Sequence, residues 1–133
     1  MSNNKNINSA LRLERAVFDK IEFKRLGFKS DEEVELKIQS GIGKKQDEEI
    51  YRVSLTVTGN KPDEYVFEVT MSGYFVIESD ENLTEHMKET MINKNSIAIL
   101  MPYVRSEISL LTAQPEVDCV IMPVFNINKM FEE

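Results

Sequence analysis

Residues 95–131, NSIAILMPYVRSEISLLTAQPEVDCVIMPVFNINKMF, decide the fold. Their apolar side chains recur at the i, i+3, i+4, i+7 spacing of an amphipathic helix of about five turns. These side chains are Ile97, Leu100, Met101, Val104, Ile108 and Leu111. Pro102 falls inside the stripe, where a proline either kinks a helix or marks its start. Pro115 ends the helix by Gln114, and the apolar residues 117–124 are expected to be extended.

Upstream of this stretch, apolar and polar side chains alternate with the period of two that is typical of half-buried strands. The alternation covers four segments, which are residues 11–24, 34–39, 51–58 and 65–77. The first segment is long for one strand, and a bend or bulge is expected near Phe18 and Asp19. Turn-type residues at 40–47 and 59–63 separate the later segments. Short connections between four strands favour an antiparallel meander.

A short helix is predicted between the sheet and the long helix, because Leu83, Met87 and Met91 are spaced four residues apart. Residues 126–131 could form a last short turn. The predicted fold is therefore α+β, with a four-stranded antiparallel meander and one long and one or two short helices on one face. Residues 1–9 are expected to be a disordered lead, and residues 10–133 a single domain.

The composition excludes several classes of protein. The formal net charge is −7, and an acidic chain without clustered Lys and Arg is a poor ligand for nucleic acid. The first eight residues have no apolar core of a secretory signal, and no apolar run is long enough to span a membrane. The single cysteine cannot form an intramolecular disulfide, which fits a reducing compartment. We expect a cytoplasmic protein without membrane insertion.

No arrangement of reactive side chains predicts an enzyme, a cofactor or a metal site. His86 is the only histidine, so it is interpreted as a surface residue. Cys119 has no basic neighbour in sequence to lower its pKa and is interpreted as a buried thiol. The segment Gly41-Ile-Gly43-Lys-Lys lacks the spacing of a phosphate-binding loop and is predicted to be a turn.

The apolar residues exceed what one helix on one sheet face needs. The long helix accounts for one covering layer, but residues 65–77 and 117–124 add further apolar surface. A surplus of this kind indicates an interface between copies or a groove for a polypeptide.

Three motifs resemble the SecB family of protein-export chaperones. The segment ILMPYVR at residues 99–105 resembles the family's helix start, LLTA at 110–113 its threonine-containing helix end, and VIMPVFNI at 120–127 its proline-containing segment. The first strand around residues 13–23 and the fourth strand around residues 67–75 are also similar to the family. The resemblance runs in order along nearly the whole chain.

The resemblance implies a homotetramer built as a dimer of dimers, and ATP-independent holding of unfolded precursor proteins in apolar grooves. Adaptable methionine side chains suit a groove that tolerates many sequences. Residues carried over as the candidate client groove are Tyr74, Phe75, Ile77, Ile97 and Met101. Those carried over as the oligomer interface are Phe67, Val69, Met71, Leu100, Val104 and Ile108.

Two departures from the family concern the motor protein SecA. Lys20 and Lys24 stand where proteobacterial members have acidic residues that dock SecA, whereas Glu68 matches the family's acid on the fourth strand and is the candidate SecA contact. The protein is also expected to be without the longer second helix and tail that the family uses on the motor. Two alternatives to general export stay open: a chaperone dedicated to an antitoxin, and an adaptor of the same fold without chaperone activity.

Overall fold

The computed structural model describes residues 10–44, 49–78 and 83–122. These residues form four strands and one helix: β1 Ala10–Arg25, β2 Glu35–Lys44, β3 Ile50–Lys61, β4 Tyr65–Glu78 and α1 Glu85–Thr112. The predicted disordered lead and the predicted last turn at 126–131 lie outside the described residues. The α+β class with a four-stranded antiparallel sheet is confirmed.

The order of the strands differs from a simple meander. Strands β2, β3 and β4 follow one another across the sheet, but β1 pairs with β4, which gives the order β1-β4-β3-β2. The nine residues 26–34 between β1 and β2, here called the crossover loop, therefore connect the two edges of the sheet. Alternation within a strand predicts its two faces but carries no information about its neighbours, so the meander was a wrong extrapolation.

Strand β1 bends where the sequence predicted. Its register against β4 shifts between Phe18 and Lys20, which leaves Asp19 as an extra residue, and shifts a second time between Leu13 and Arg15. Each shift is a bulge that increases the local twist. The predicted turn at 40–47 begins later than expected, because Gly41 and Gly43 still pair with β3.

Helix α1 is continuous where two helices were expected. Thr84 caps its start, since the hydroxyl accepts a hydrogen bond from the Met87 amide at 3.1 Å. The helix then passes through the polar residues 93–95, because Ile92 and Ser96 point inward and the buried Ser96 hydroxyl donates to the Ile92 carbonyl. Pro102 lies inside the helix and is exposed.

The core lies between α1 and one face of the sheet. From the helix, the inward residues include Ile97, Leu100, Val104 and Ile108, none more than 1% exposed. The sheet contributes alternate residues of β3 and β4, which are Tyr51, Val53, Leu55, Val57, Phe67, Val69, Met71 and Phe75. The opposite face of the sheet carries no helix among the described residues and is polar along β3.

Candidate functional site

The five residues predicted to line a client groove do not form one groove. Phe75 of β4 and Ile97 and Met101 of α1 are buried in the core between the sheet and the helix. Ile77 is half-buried, and Tyr74 lies on the opposite face of the sheet, where the guanidinium of Arg15 sits 5.2 Å from the centre of its ring. Period-two alternation explains the error, since Tyr74 and Phe75 are neighbours in sequence and must face opposite sides.

The six residues predicted at the oligomer interface are also core residues of the single chain. Phe67, Val69 and Met71 face α1, which covers them with Leu100, Val104 and Ile108, and none of the six is more than 2% exposed. A side chain that its own chain already covers has no surface to offer a second copy. These six side chains therefore offer no exposed surface for a contact between copies.

Glu68, the candidate motor contact, lies on the helix-free face of the sheet. Its carboxylate is 3.3 Å from the ammonium of Lys20, which also lies 3.7 Å from the Glu22 carboxylate, so the lysine offsets part of the negative charge at this position. A second polar group lies on the same face, where the buried Ser72 hydroxyl donates to Asp19 and accepts from Nε of Arg52 at 3.3 Å. This face therefore pairs its charges internally instead of presenting one sign.

Exposed apolar side chains mark a surface that the sequence reasoning missed. Leu26 and Phe28 stand out of the crossover loop with exposed fractions of 50% and 81%. The end of β1 and the loop both contact the segment that follows α1. Arg25 donates to the Glu116 carbonyl, and the ammonium of Lys29 in the loop lies 3.1 Å from the Asp118 carboxylate. The sequence signal for this surface was the pair Leu26 and Phe28 at the start of a connection whose middle, residues 29–33, is polar. We call Leu26 and Phe28 the loop patch.

The end of the same post-helix segment lines a groove of about 390 Å³ against α1. The groove is lined by Pro102, Arg105, Ser106, Ser109, Ile121 and Met122. The segment is held in place by Ser109, which donates to the Val120 carbonyl, and by Thr112, which accepts from the Val120 amide. Ile121 is 78% exposed, while Nε of Arg105 is buried without a hydrogen-bond partner. We call this site the helix groove.

The reactive side chains considered from sequence do not converge on either surface. His86 is exposed on the first turn of α1, as the sequence indicated. Cys119 is exposed instead of buried, which corrects the expectation of a buried thiol, and its Sγ lies 3.4 Å from the Ser109 carbonyl oxygen. Among the residues that the structure describes, no three potential metal ligands cluster, and no helix is long and apolar enough to cross a membrane.

Comparison with solved structures gives the same fold in a distant protein. The SecB-like chaperone Rv1957 of Mycobacterium tuberculosis, in complex with a ChAD peptide from the Rv1956 HigA1 antitoxin, superposes with a TM-score of 0.73. The match covers 87% of this chain and 88% of that chain at 11% sequence identity. A Streptococcus agalactiae protein of unknown function matches with a TM-score of 0.48 at 12% identity, over 87% of this chain and 98% of that one.

Comparison of the sequence with family models gives a match, whereas comparison with individual curated proteins does not. No curated protein sequence matches the chain. The family described as preprotein translocase subunit SecB matches residues 17–133, which is most of its length. Together with the shared fold, this match shows that the chain belongs to the SecB family.

Proposed function

We propose that this protein is an ATP-independent holding chaperone, which binds non-native polypeptides at the loop patch and the helix groove. A chaperone role follows from membership of the SecB family. The observation that carries the finer proposal is the exposure of Phe28 and Ile121, two large apolar side chains that the chain leaves about four-fifths uncovered. Such exposure costs free energy in a free protein and is typical of interaction surfaces.

The chemistry of holding suits these surfaces. An unfolded polypeptide offers apolar side chains that a folded one hides, and burial of apolar surface is non-directional and tolerant of sequence. The helix groove adds polar groups beside Ile121, since the hydroxyl of Ser106 and the guanidinium of Arg105 line it. Backbone carbonyls of an extended segment are acceptors for such donors. No bond is made or broken, so the activity needs no catalytic group.

Precursors for protein export in the cytoplasm are the first class of client that we propose. The description of the matching family as a preprotein translocase subunit supports this choice. Delivery to SecA is a separate proposal, with Glu68 as the candidate contact. Lys20, which lies near both Glu22 and Glu68, reduces the negative charge that would steer a basic partner to this face.

An antitoxin is the second class of client. This proposal is supported by the structural neighbour from Mycobacterium tuberculosis, which is in complex with a peptide of an antitoxin. Both clients are aggregation-prone polypeptides, so the same apolar surfaces serve either one. Binding of unfolded export precursors that exceeds binding of antitoxin peptides would favour the first, and the reverse would favour the second.

We also propose a homotetramer, with the outward stripe of α1 as the contact between copies. Tyr103 and Leu110 are seven residues apart, which places them on one side of the helix, and they are 50% and 70% exposed. Ile99 is half-buried one turn before Tyr103. An apolar stripe on the solvent side of an already packed helix is typical of helix–helix contact between subunits.

Suppression of aggregation tests the holding proposal. The wild-type protein should prevent light scattering by a reduced, unfolded protein at stoichiometric amounts without nucleotide. Phe28→Ser should weaken this protection, because it removes the most exposed aromatic side chain of the described chain. Met87→Gln is the matched control, since Met87 is 50% exposed on α1 away from both surfaces.

Full protection by Phe28→Ser would contradict the assignment of the loop patch. Failure of the wild-type protein to protect would favour the alternative of a non-chaperone adaptor.

A further inference from the structure

The crossover loop has to pass the turn between β3 and β4. Because β1 and β2 lie at opposite edges of the sheet, their nine-residue connection crosses the ends of β4 and β3, where residues 62–64 make the turn. Asp63 has a φ of 67°, which is a left-handed conformation that sharpens this turn. Loop and turn therefore meet at one end of the sheet.

The backbone of the loop is bonded to this turn directly before Phe28. The amides of Leu26 and Gly27 both donate to the Glu64 carbonyl, at 2.7 and 3.2 Å. Gly27 approaches so closely that a Cβ atom there would lie 2.6 Å from the carbonyl oxygen of Asp63. The Gly27 carbonyl in turn accepts from Nη1 of Arg25 at 2.8 Å.

A second attachment follows directly after Phe28 and Lys29, through Ser30. Its amide donates to Oε1 of Glu64 at 2.9 Å, and its hydroxyl donates to the Pro62 carbonyl at 3.1 Å. The same Glu64 oxygen lies 2.9 Å from the ammonium of Lys61. Glu64 thus holds the loop on both sides of Phe28, with its carbonyl on one side and its carboxylate on the other.

Glu64 is an unusual residue for a turn, because it is fully buried. Its exposed fraction is 0%, and that of Lys61 is 7%. The hydrogen bond from the Ser30 amide, together with Lys61, lowers the pKa of Glu64 below its ordinary value, so the carboxylate is charged at neutral pH. Both partners meet Oε1, while Oε2 is buried without a hydrogen-bond partner among the described residues. Loss of either partner would leave this buried charge with still less compensation, which costs free energy.

We propose that Glu64 is a positioning residue for client binding: it fixes the crossover loop so that the loop patch is ordered before a non-native polypeptide arrives. The proposal rests on the proposed holding function. A flexible loop would lose conformational entropy when Phe28 contacts a client, whereas a loop fixed on both sides of Phe28 has already lost it.

Two independent variants loosen the loop. Glu64→Gln keeps the shape of the side chain but removes its charge. Gly27→Ala changes no charge and places a methyl group against the Asp63 carbonyl oxygen, so the loop must separate from the turn. Gly41→Ala is the control, since a Cβ atom there meets nothing within 4 Å.

The test is a double-mutant cycle on affinity for reduced, carboxymethylated lysozyme, a polypeptide that stays unfolded. Leu26→Ala/Phe28→Ala should weaken binding about tenfold or more, as loss of one buried aromatic contact does. Glu64→Gln and Gly27→Ala should each weaken binding about three- to tenfold in the wild-type chain. Both should change affinity less than twofold in the Leu26→Ala/Phe28→Ala background, where nothing remains to be positioned.

Hydrogen exchange of the free protein separates positioning from general destabilisation. In both loop variants, the amides of Leu26, Gly27 and Ser30 should exchange at least about tenfold faster, while core amides such as that of Leu55 stay protected. Equal acceleration in the core, or additive losses of affinity in the Leu26→Ala/Phe28→Ala background, would overturn the positioning role alone. Absence of lysozyme binding by the wild-type chain would overturn the holding function and the inference with it.

Discussion

At the scale of single residues, Gly59 is the glycine with the least room for an added side chain. It lies directly opposite Phe67 across the β3–β4 pair, and the aromatic ring covers it. A Cβ atom at Gly59 would lie 2.2 Å from two ring carbons of Phe67. Phe67 is 2% exposed and packs beside Tyr65, so its ring has little room to move.

Gly59→Ala should therefore destabilise the protein by about 1–3 kcal/mol, the usual cost of overpacking a core. The matched change Gly41→Ala, in an open position of β2, should stay within about 0.5 kcal/mol of wild type. Urea denaturation followed by circular dichroism measures both. Equal stability of the two variants would show that the ring of Phe67 can leave Gly59 at little cost.

Which residues are buried could be predicted only where the alternation is regular. Along β3 and β4 it marked every second residue as core, and the structure agrees. Glu64 and Phe28 could not be predicted in this way, because their surroundings are made by the crossing of the loop over the turn. The exposure of Cys119 could not be predicted either, because the segment after the helix has no periodicity that shows its exposed side.

At the scale of elements, the course of α1 through Pro102 depends on packing and not only on local sequence. A proline inside a helix lacks the amide that would bond to the carbonyl four residues earlier, and it predicts a kink or a start. The structure instead places Pro102 near the middle of a helix of 28 residues. Packing of the inward residues against the sheet holds the two halves together, and that packing is not visible in local sequence.

Pro102→Ala should raise the free energy of unfolding by up to about 3 kcal/mol, because it restores the missing amide in an exposed position. The change in midpoint of urea denaturation measures it. Ser106→Ala, one turn later on the exposed side, is the control and should have a much smaller effect. A loss of stability in Pro102→Ala would mean that contacts of the proline ring in the helix groove outweigh the amide.

The bulge in β1 is the element-scale feature that the sequence located best. Asp19 interrupts the apolar face of the strand, and the register shifts at that residue. The order of the strands was not predictable in the same way. The strand order depends on which edge of the sheet the crossover loop reaches. Its nine residues have no periodicity from which that path could be predicted.

At the scale of the whole molecule, the proposed tetramer depends on the outward stripe of α1. Leu110→Glu should reduce the assembly, because a charge in an apolar contact loses its hydration without gaining a partner. Light scattering combined with size-exclusion chromatography measures the mass. Met87→Glu is the control, since its side chain lies off the stripe, and it should leave the tetramer intact. A wild-type monomer at micromolar concentration would contradict the proposal.

The interface and the client groove were the parts of the site that sequence reasoning predicted least well. Both sets were carried over from the resemblance to the family, and all of these residues except Tyr74 and Ile77 are ones that the chain buries for itself. The apolar surface that we propose for function consists of exposed residues, such as Phe28, Leu110 and Ile121. They can be recognised only once the packing of the core is known.

Selective binding of an unfolded polypeptide tests the central claim most directly. Calorimetric titration of the protein with reduced, carboxymethylated lysozyme and with native lysozyme, both without nucleotide, compares the same sequence in two states. The account predicts saturable binding of the unfolded form, with the negative heat-capacity change that accompanies burial of apolar surface, and no binding of the native form. Equal binding of both forms, or no binding of the unfolded one, would contradict a holding chaperone.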